Sequence, residues 1–300
     1  MTANLSPAMA DALARALLVR DRAVRAGPVP KEVRDYWRAK RLKPTFSYQD
    51  TWREEHDHAF VAAKVMRLDV LEALQDELER AIVQGTPYKQ WAKQVQPRLE
   101  KIGWWAPHEV EDPETGDVAT VNPPKRLKLI YETNMRTAHA VGQYDRLVEH
   151  RKDRPYWLYG VGPSKRHREQ HLAWAGLLLP ADDPFWEVGF PPNGWGCKCH
   201  VKGVSKSEFA SLVKKGTMPG IPEPILDDEG RPTGHVKQTK VPVQLVAPKL
   251  PLIAWQNKRT GKTEYVPEGI DPGFDKMPGE GRKRTEREGK KRIAAARKRG

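Results

Sequence analysis

The sequence predicts an α+β chain in which helices come first and a small mixed module with few short strands follows. Three observations carry that expectation. Apolar residues recur at helical spacing through 69–102 and again through 125–150. Short aromatic and aliphatic runs, too brief for helices, occupy 155–159 and 177–188. Beyond Val204, proline recurs from 219 to 278, which disfavours helices and central strands.

Taken in order, residues 1–54 form an N-terminal helical arm. A helix is expected over 5–26, where Leu13, Leu17, Leu18 and Val24 make a partial stripe and Gly27-Pro28 ends it. A second is expected over 30–41, with Val33, Tyr36 and Trp37 on one side. Residues 55–122 hold a helical hairpin and a loop. Asp69 caps the first helix, with Glu72 at the reciprocal position of a capping box. Leu71, Leu74, Leu78 and Ile82 face the core, and Gly85 supplies a left-handed stop. Thr86-Pro87 opens the partner helix, striped by Tyr88, Trp91, Val95, Leu99 and Ile102 and bent at Pro97. The short connection makes the two helices antiparallel. Residues 106–122 carry turn chemistry at Asp112-Pro113-Glu114-Thr115-Gly116, with room for a small hairpin.

Residues 123–205 are the mixed module. Pro123-Pro124 introduces a helix over 125–150, buried through Leu127, Ile130, Tyr131, Met135, Ala138, Val141, Leu147 and Val148. Arg136 and His139 fall beside that face, as a snorkelled arginine and a satisfied histidine at the core edge rather than an anchor for a distant loop. A strand is expected at 155–159, and Ser164 is placed to cap a helix carrying His167, His171 and Trp174. Residues 206–280 are a Pro-rich extended region in which 241–253 serves as an edge strand or a wrapping arm. Residues 281–300 are a basic tail without fixed structure of its own, able to become helical on an acidic surface.

The chemistry-bearing residues concentrate between His167 and Val201. His167 and His171 are four apart, so a helix would place them on one face. About 25 residues on, a count to compare with metal-motif spacings, come Cys197-Lys198-Cys199-His200. On an extended segment both thiols point the same way, and Pro191-Pro192-Asn193-Gly194 is a turn that aims them. His167, His171, Cys197 and Cys199 are the candidate ligands of a structural zinc, with His200 as a fifth donor. The C-x-C spacing is tighter than the common C-x2-4-C, so packed thiols beside partly exposed histidines are the competing account. A disulfide across one residue is disfavoured by its geometry.

Two enzyme patterns are nearly matched. The metalloprotease H-E-x-x-H needs Glu after the first His, but Arg168 stands there, and Glu169 falls about 200° round a helix from His167. The nucleobase-deaminase pattern fits at His167-Arg168-Glu169 and fails at the cysteines, where P-C-x-x-C is required. A zinc-dependent hydrolase or deaminase using His167, His171, Cys197 and Cys199, with Glu169 as proton shuttle, is therefore the enzyme alternative.

His171 and Gly176, Asp182-Asp183-Pro184-Phe185-Trp186, and Pro191-Pro192-Asn193-Gly194-Trp195-Gly196-Cys197-Lys198-Cys199 together resemble the phage Mu F-like head-morphogenesis family. Tyr131-Glu132-Thr133-Asn134-Met135-Arg136-Thr137 and Gly142 are similar to that domain's opening helix, and 266–274 to a tail motif of the same proteins. Lys198 stands where the family usually has Arg, keeping the charge without the bidentate fork. The resemblance, over residues 55–280, implies a non-catalytic minor capsid protein of a tailed phage or prophage. Its partners would be the portal protein and other capsid or scaffold proteins. Its roles would be head assembly, DNA packaging and DNA ejection, and its location the virion after assembly in the host bacterial cytoplasm.

Composition is compatible with that. Charged residues reach 30% and apolar ones only 38%, so a core coexists with much solvated sequence. The net charge is +13, and residues 281–300, with ten Lys or Arg and two Glu, supply +8 of it. Arg282, Lys283, Arg284, Lys290, Lys291, Arg292, Arg297, Lys298 and Arg299 are thus candidate contacts to double-stranded DNA, non-specific because no aromatic or base-reading pattern accompanies them. A solubilising tail is the plainer account. Asp11 and Arg15 interrupt the first twenty residues, so no signal peptide is expected, and no apolar run suits a membrane span.

Overall fold

A computed structural model describes residues 29–164, 167–227, 229 and 231–297. The expected helix over 5–26, with Gly27-Pro28, lies outside the described residues. So do Lys298 and Arg299.

The architecture is α+β, with two cores threaded on one long helix. The first core is helical. Helix α1 (Lys31–Arg38) buries Val33, Tyr36 and Trp37, as its spacing predicts. The short parallel strands β1 (Arg41–Leu42) and β2 (Ala59–Phe60) flank two 3-10 turns. Helices α2 (Leu68–Gln84) and α3 (Tyr88–Lys101) form the hairpin. Leu71, Leu74, Leu78 and Ile82 are buried against Trp91, Val95 and Leu99. Gly85 ends α2 at φ 65°, the left-handed conformation that a Cβ resists.

Both helix starts differ from expectation. The α2 N-cap is Arg67, not Asp69. The Asp69 carboxylate is taken by the Arg67 guanidinium, Nε to Oδ1 at 3.1 Å, and Arg67 also reaches the Ile102 carbonyl at 2.8 Å. An ion pair to the chain before the helix has outcompeted the reciprocal cap. Helix α3 starts at Tyr88 after Pro87, one residue later than the Thr86 cap implied. The 106–122 loop does contain its hairpin, β3 (His108–Glu111) with β4 (Val118–Val121).

Helix α4 (Pro123–Glu149) is capped by the Asn122 side chain, Oδ1 accepting from Lys125 N at 3.4 Å. Its first five turns pack in the helical core through Leu127, Ile130, Ala138 and Val141. Gly142 lets α1 close onto it, because a Cβ there would sit 2.3 Å from Val33 Cγ2. Its last turns, Tyr144, Leu147 and Val148, pack on the second core.

That second core covers an antiparallel sheet of order β6-β5-β7, from β5 (Tyr156–Gly160), β6 (Leu178–Pro180) and β7 (His200–Val204). Strand alternation divides the faces. Trp157 and Tyr159 join Trp174, Phe185, Trp186 and Phe190 on one side, while Leu158 joins Leu178 and Val204 on the other. Short helices α5 (Glu169–Ala173) and α6 (Phe185–Gly189) are carried between the strands. The N-cap of α5 is Arg168, so Ser164 is not the cap.

Beyond Val204 the chain is more ordered than proline density implies. Helix α7 (Lys206–Lys215) carries a complete capping box, Ser205 with Glu208, and lays Phe209 and Leu212 on the Leu158 face. Three two-stranded sheets follow, built by β8 (Thr217–Pro219), β9 (Glu223–Leu226), β10 (Pro232–Lys237), β11 (Lys240–Pro242), β12 (Leu252–Gln256) and β13 (Thr263–Pro267). β8 pairs with β11, β9 with β10 and β12 with β13, all antiparallel. Every strand here is an edge strand, where a missing N–H is tolerated. The tail begins as helix α8 (Glu280–Arg297), so it is not without structure over that range.

Residues 257–284 strap the C-terminal part onto the helical core. Arg259 pairs with Asp50, with fully buried Asp112, and with Glu114 at 2.9 Å. Asp57, also fully buried, accepts from Lys276 Nζ at 2.6 Å, Tyr36 Oη at 3.2 Å and the N–H groups of Gly279 and Gly281 at 3.4 and 3.1 Å. Removing one partner of a buried pair leaves the other uncompensated. Asp57→Ala should therefore cost about 3–5 kcal/mol, read as a lowered urea midpoint. A loss within experimental error would show that the strap is held elsewhere.

Candidate functional site

The loop from Pro191 to Cys199 joins α6 to β7 and is clamped from three sides. From the sheet, Tyr159 Oη donates to Asn193 Oδ1 at 2.8 Å. From the strap, Asp271 Oδ2 accepts from Trp195 N at 2.7 Å, and Asp271 N donates back to Asn193 O at 2.9 Å. From the start of α5, Arg168 Nη2 donates to Asp271 Oδ2 at 2.6 Å and to Trp195 O at 3.2 Å. Gly194 is required by this crowding, since a Cβ would sit 2.3 Å from Asp271 Oδ2. Gly196 turns the chain at φ +71°, and Cys197 N donates to Gly194 O at 3.1 Å.

This clamp brings three donors together. His171, 3% exposed, lies in α5 with its ring stacked on Trp174 at 5.2 Å. Its Nε2 is 2.8 Å from the Gly269 carbonyl, which accepts only if Nε2 carries the proton. The Nδ1 lone pair then faces Cys197 Sγ at 3.8 Å and Cys199 Sγ at 3.6 Å. Both thiols are free, and the three donor atoms lie within 4.8 Å of one another. The neighbouring Cys199 thiol pulls the Cys197 pKa down, with His171 adding to the shift against the opposing effect of burial. The same contact, with burial, pushes Cys199 up.

His167 is not part of the group. Helix α5 starts at Glu169, so His167 precedes it and the four-residue spacing never becomes a helical face. Its Nε2 lies 2.9 Å from the Gly162 carbonyl instead. His200 is exposed on β7, against Gly160. Among the described residues no carboxylate joins the cluster, so Glu169 is outside it. The expected four donors become His171, Cys197 and Cys199.

One wall of a cleft of about 380 Å³ is Pro191, Pro192 and Cys197 to Cys199; the other is the α4 face with Arg136, His139 and Arg146. Burial, and then the charge of Arg146, lower the His139 pKa. Arg136 bonds Glu132 at 3.0 Å within α4, and Arg136 and His139 both line the cleft beside the cysteine loop as well as the core edge.

Of the basic residues, Lys283 pairs with Asp145 and lies over the Tyr144 ring at 4.7 Å. Arg284 pairs with Glu54 at 3.3 Å, and Arg282 donates to Asp35 O at 3.1 Å. These three hold α8 to the body. Lys290 is exposed, while Lys291, Arg292 and Arg297 lie in α8.

Gly269, Asp271 and Arg168 were not singled out from sequence as site residues. The only signal was that 266–274 had a recognisable pattern, which says nothing of where it docks. Asp271→Ala should release Trp195 N–H and Arg168, destabilising the chain by about 1–3 kcal/mol. It should also speed alkylation of Cys197 by iodoacetamide relative to the unaltered chain, and an unchanged rate would show that the loop does not depend on this clamp.

Residues 72–202 match the family model described as phage Mu protein F like protein. Over 184 residues the chain is 34% identical to "Putative capsid assembly protein F" of Escherichia phage Mu, covering 61% of this chain and 42% of that protein. Over 162 residues it is 35% identical to the Mu-like prophage FluMu F protein of Haemophilus influenzae, covering 54% and 38% respectively. The chain thus spans about four-tenths of the length of these relatives. No solved structure matches it. The matched range runs from within α2 through most of β7, and takes in His171, Cys197 and Cys199.

Proposed function

We propose that this chain, whose residues 72–202 match the phage Mu protein F like family model, is a head-morphogenesis protein of a tailed phage or prophage. It works by surface complementarity to other head proteins, at or near the portal, without turnover. The observation that carries this reading is the identity to a protein named for capsid assembly over more than half of the chain. No described helix is long and apolar enough to cross a membrane.

The reading is tested in the phage or prophage that encodes the chain. A stop codon early in its reading frame should yield empty or aberrant heads. Gradient-purified wild-type heads should contain the chain, crosslinkable to the portal protein. Normal titres from the interrupted phage would overturn the assembly role, and heads with the chain crosslinked only to other proteins would overturn the portal placement.

DNA contact during packaging or ejection belongs to the far end of α8 and the residues after it. Arg282, Lys283 and Arg284 are engaged with the body. Arg287 pairs with Glu280, which leaves the six basic residues of 289–300. A chain ending at Glu288 keeps the Asp57 contacts, unlike one cut before α8. It should bind duplex DNA more weakly at low salt, with a log–log salt slope shallower by up to about five, at roughly 0.9 per phosphate. Equal affinity and slope would place any DNA contact elsewhere.

A further inference from the structure

The three donors beneath the cysteine loop are arranged more closely than core packing requires. An imidazole Nδ1 has one lone pair. It can accept in line from one thiol, yet two sulfurs sit at 3.8 and 3.6 Å from His171 Nδ1. A single ion between them satisfies all three donors at once. With Zn–S near 2.3 Å and Zn–N near 2.0–2.1 Å, a tetrahedral ion sets its N···S edges at about 3.5–3.6 Å. The observed separations are that edge or slightly longer.

The surroundings point the same way. The Gly269 carbonyl on Nε2 fixes the tautomer and ring orientation, the backing that metal-bound histidines ordinarily have. It comes from a segment 98 residues away in sequence. The helix carrying His171 and the loop carrying the cysteines are joined by Arg168 and Asp271, so the donors are held before any ion arrives. Two thiolates and a neutral imidazole suit zinc over harder divalent ions. Zn²⁺ with two thiolates is also neutral overall, which a site this buried favours.

We propose that His171 Nδ1 and the sulfurs of Cys197 and Cys199 bind one zinc ion, with the fourth coordination position opening on the cleft between the cysteine loop and α4. On binding, the thiols that were protonated release their protons to solvent, and two S–Zn bonds and one N–Zn bond form. His167 takes no part. The open position is filled from solvent, on the side where Arg136, His139 and Arg146 line the cleft. The inference stands apart from the assembly reading: an ion could be bound whether or not the chain enters heads.

The experiment uses the full chain, reduced, incubated with zinc chloride and dialysed. Elemental analysis should give one zinc per chain. Cobalt(II) in its place should give the thiolate charge-transfer band and the intense visible absorption of a tetrahedral site. The ion should be lost in His171→Ala and in Cys197→Ser/Cys199→Ser, and kept in His167→Ala. Because the first two variants remove buried side chains and could fail to fold, the unaltered chain is also titrated with a mercurial reagent. Zinc should then leave in step with the modification of two thiols. No zinc retained by the unaltered chain would overturn the proposal. So would zinc release independent of the thiols, or loss of zinc in a folded His167→Ala variant.

Discussion

The fully buried carboxylate of Asp57 is the constraint on which the rest of the arrangement depends. A charge in that position is tolerated only with compensation and hydrogen bonds around it. Lys276 supplies the charge, and Tyr36 Oη with the Gly279 and Gly281 N–H groups supplies the bonds. Two of these partners stand more than 220 residues along the chain. The Gly279 and Gly281 groups precede or open α8, where unpaired N–H groups favour an anion. Nearby, burial pushes the Lys40 ammonium down to about 7, against the opposing pull of Asp57. One carboxylate therefore ties α1, the segment before β2 and the start of α8 to a single point.

Its consequence reaches the cysteine loop. Lys276 holds the strap on one side, and Arg259 with Asp50 and Asp112 on the other, so that it lies across the second core. Gly269 then meets His171, and Asp271 meets Trp195 and Arg168. Gly269 turns there at φ +85°, where a Cβ would press on Gln170 at 2.7 Å. The strap lies outside the family-matched range of 72–202, yet it completes the site within it.

Helix α4 supplies the second constraint. Among the described residues it is the one element shared by both cores, and its residues 135–146 form the far wall of the cleft. The helical core and the aromatic sheet core therefore meet along a rigid rod.

The local patterns determined a good deal by themselves. Periodicity placed α1, α2, α3 and α4, Gly85 marked a stop, and the aromatic run marked β5, because these depend on neighbours within a few residues. Ser205 and Glu208 would have announced α7 in the same way, had proline density not outweighed them. The C-x-C pair also showed that two thiols would act together. Tertiary structure decided what those patterns left open. It removed His167, because α5 begins two residues too late for the histidines to share a face, and it paired Arg67 with Asp69 in place of a capping box. It also folded the proline-rich segment into hairpins and a strap. The partner of His171 stands 98 residues away and the Asp271 that holds the cysteine loop 76 residues from Trp195, joined by polar contacts that leave no period in the sequence, so only the folded chain could bring them into view.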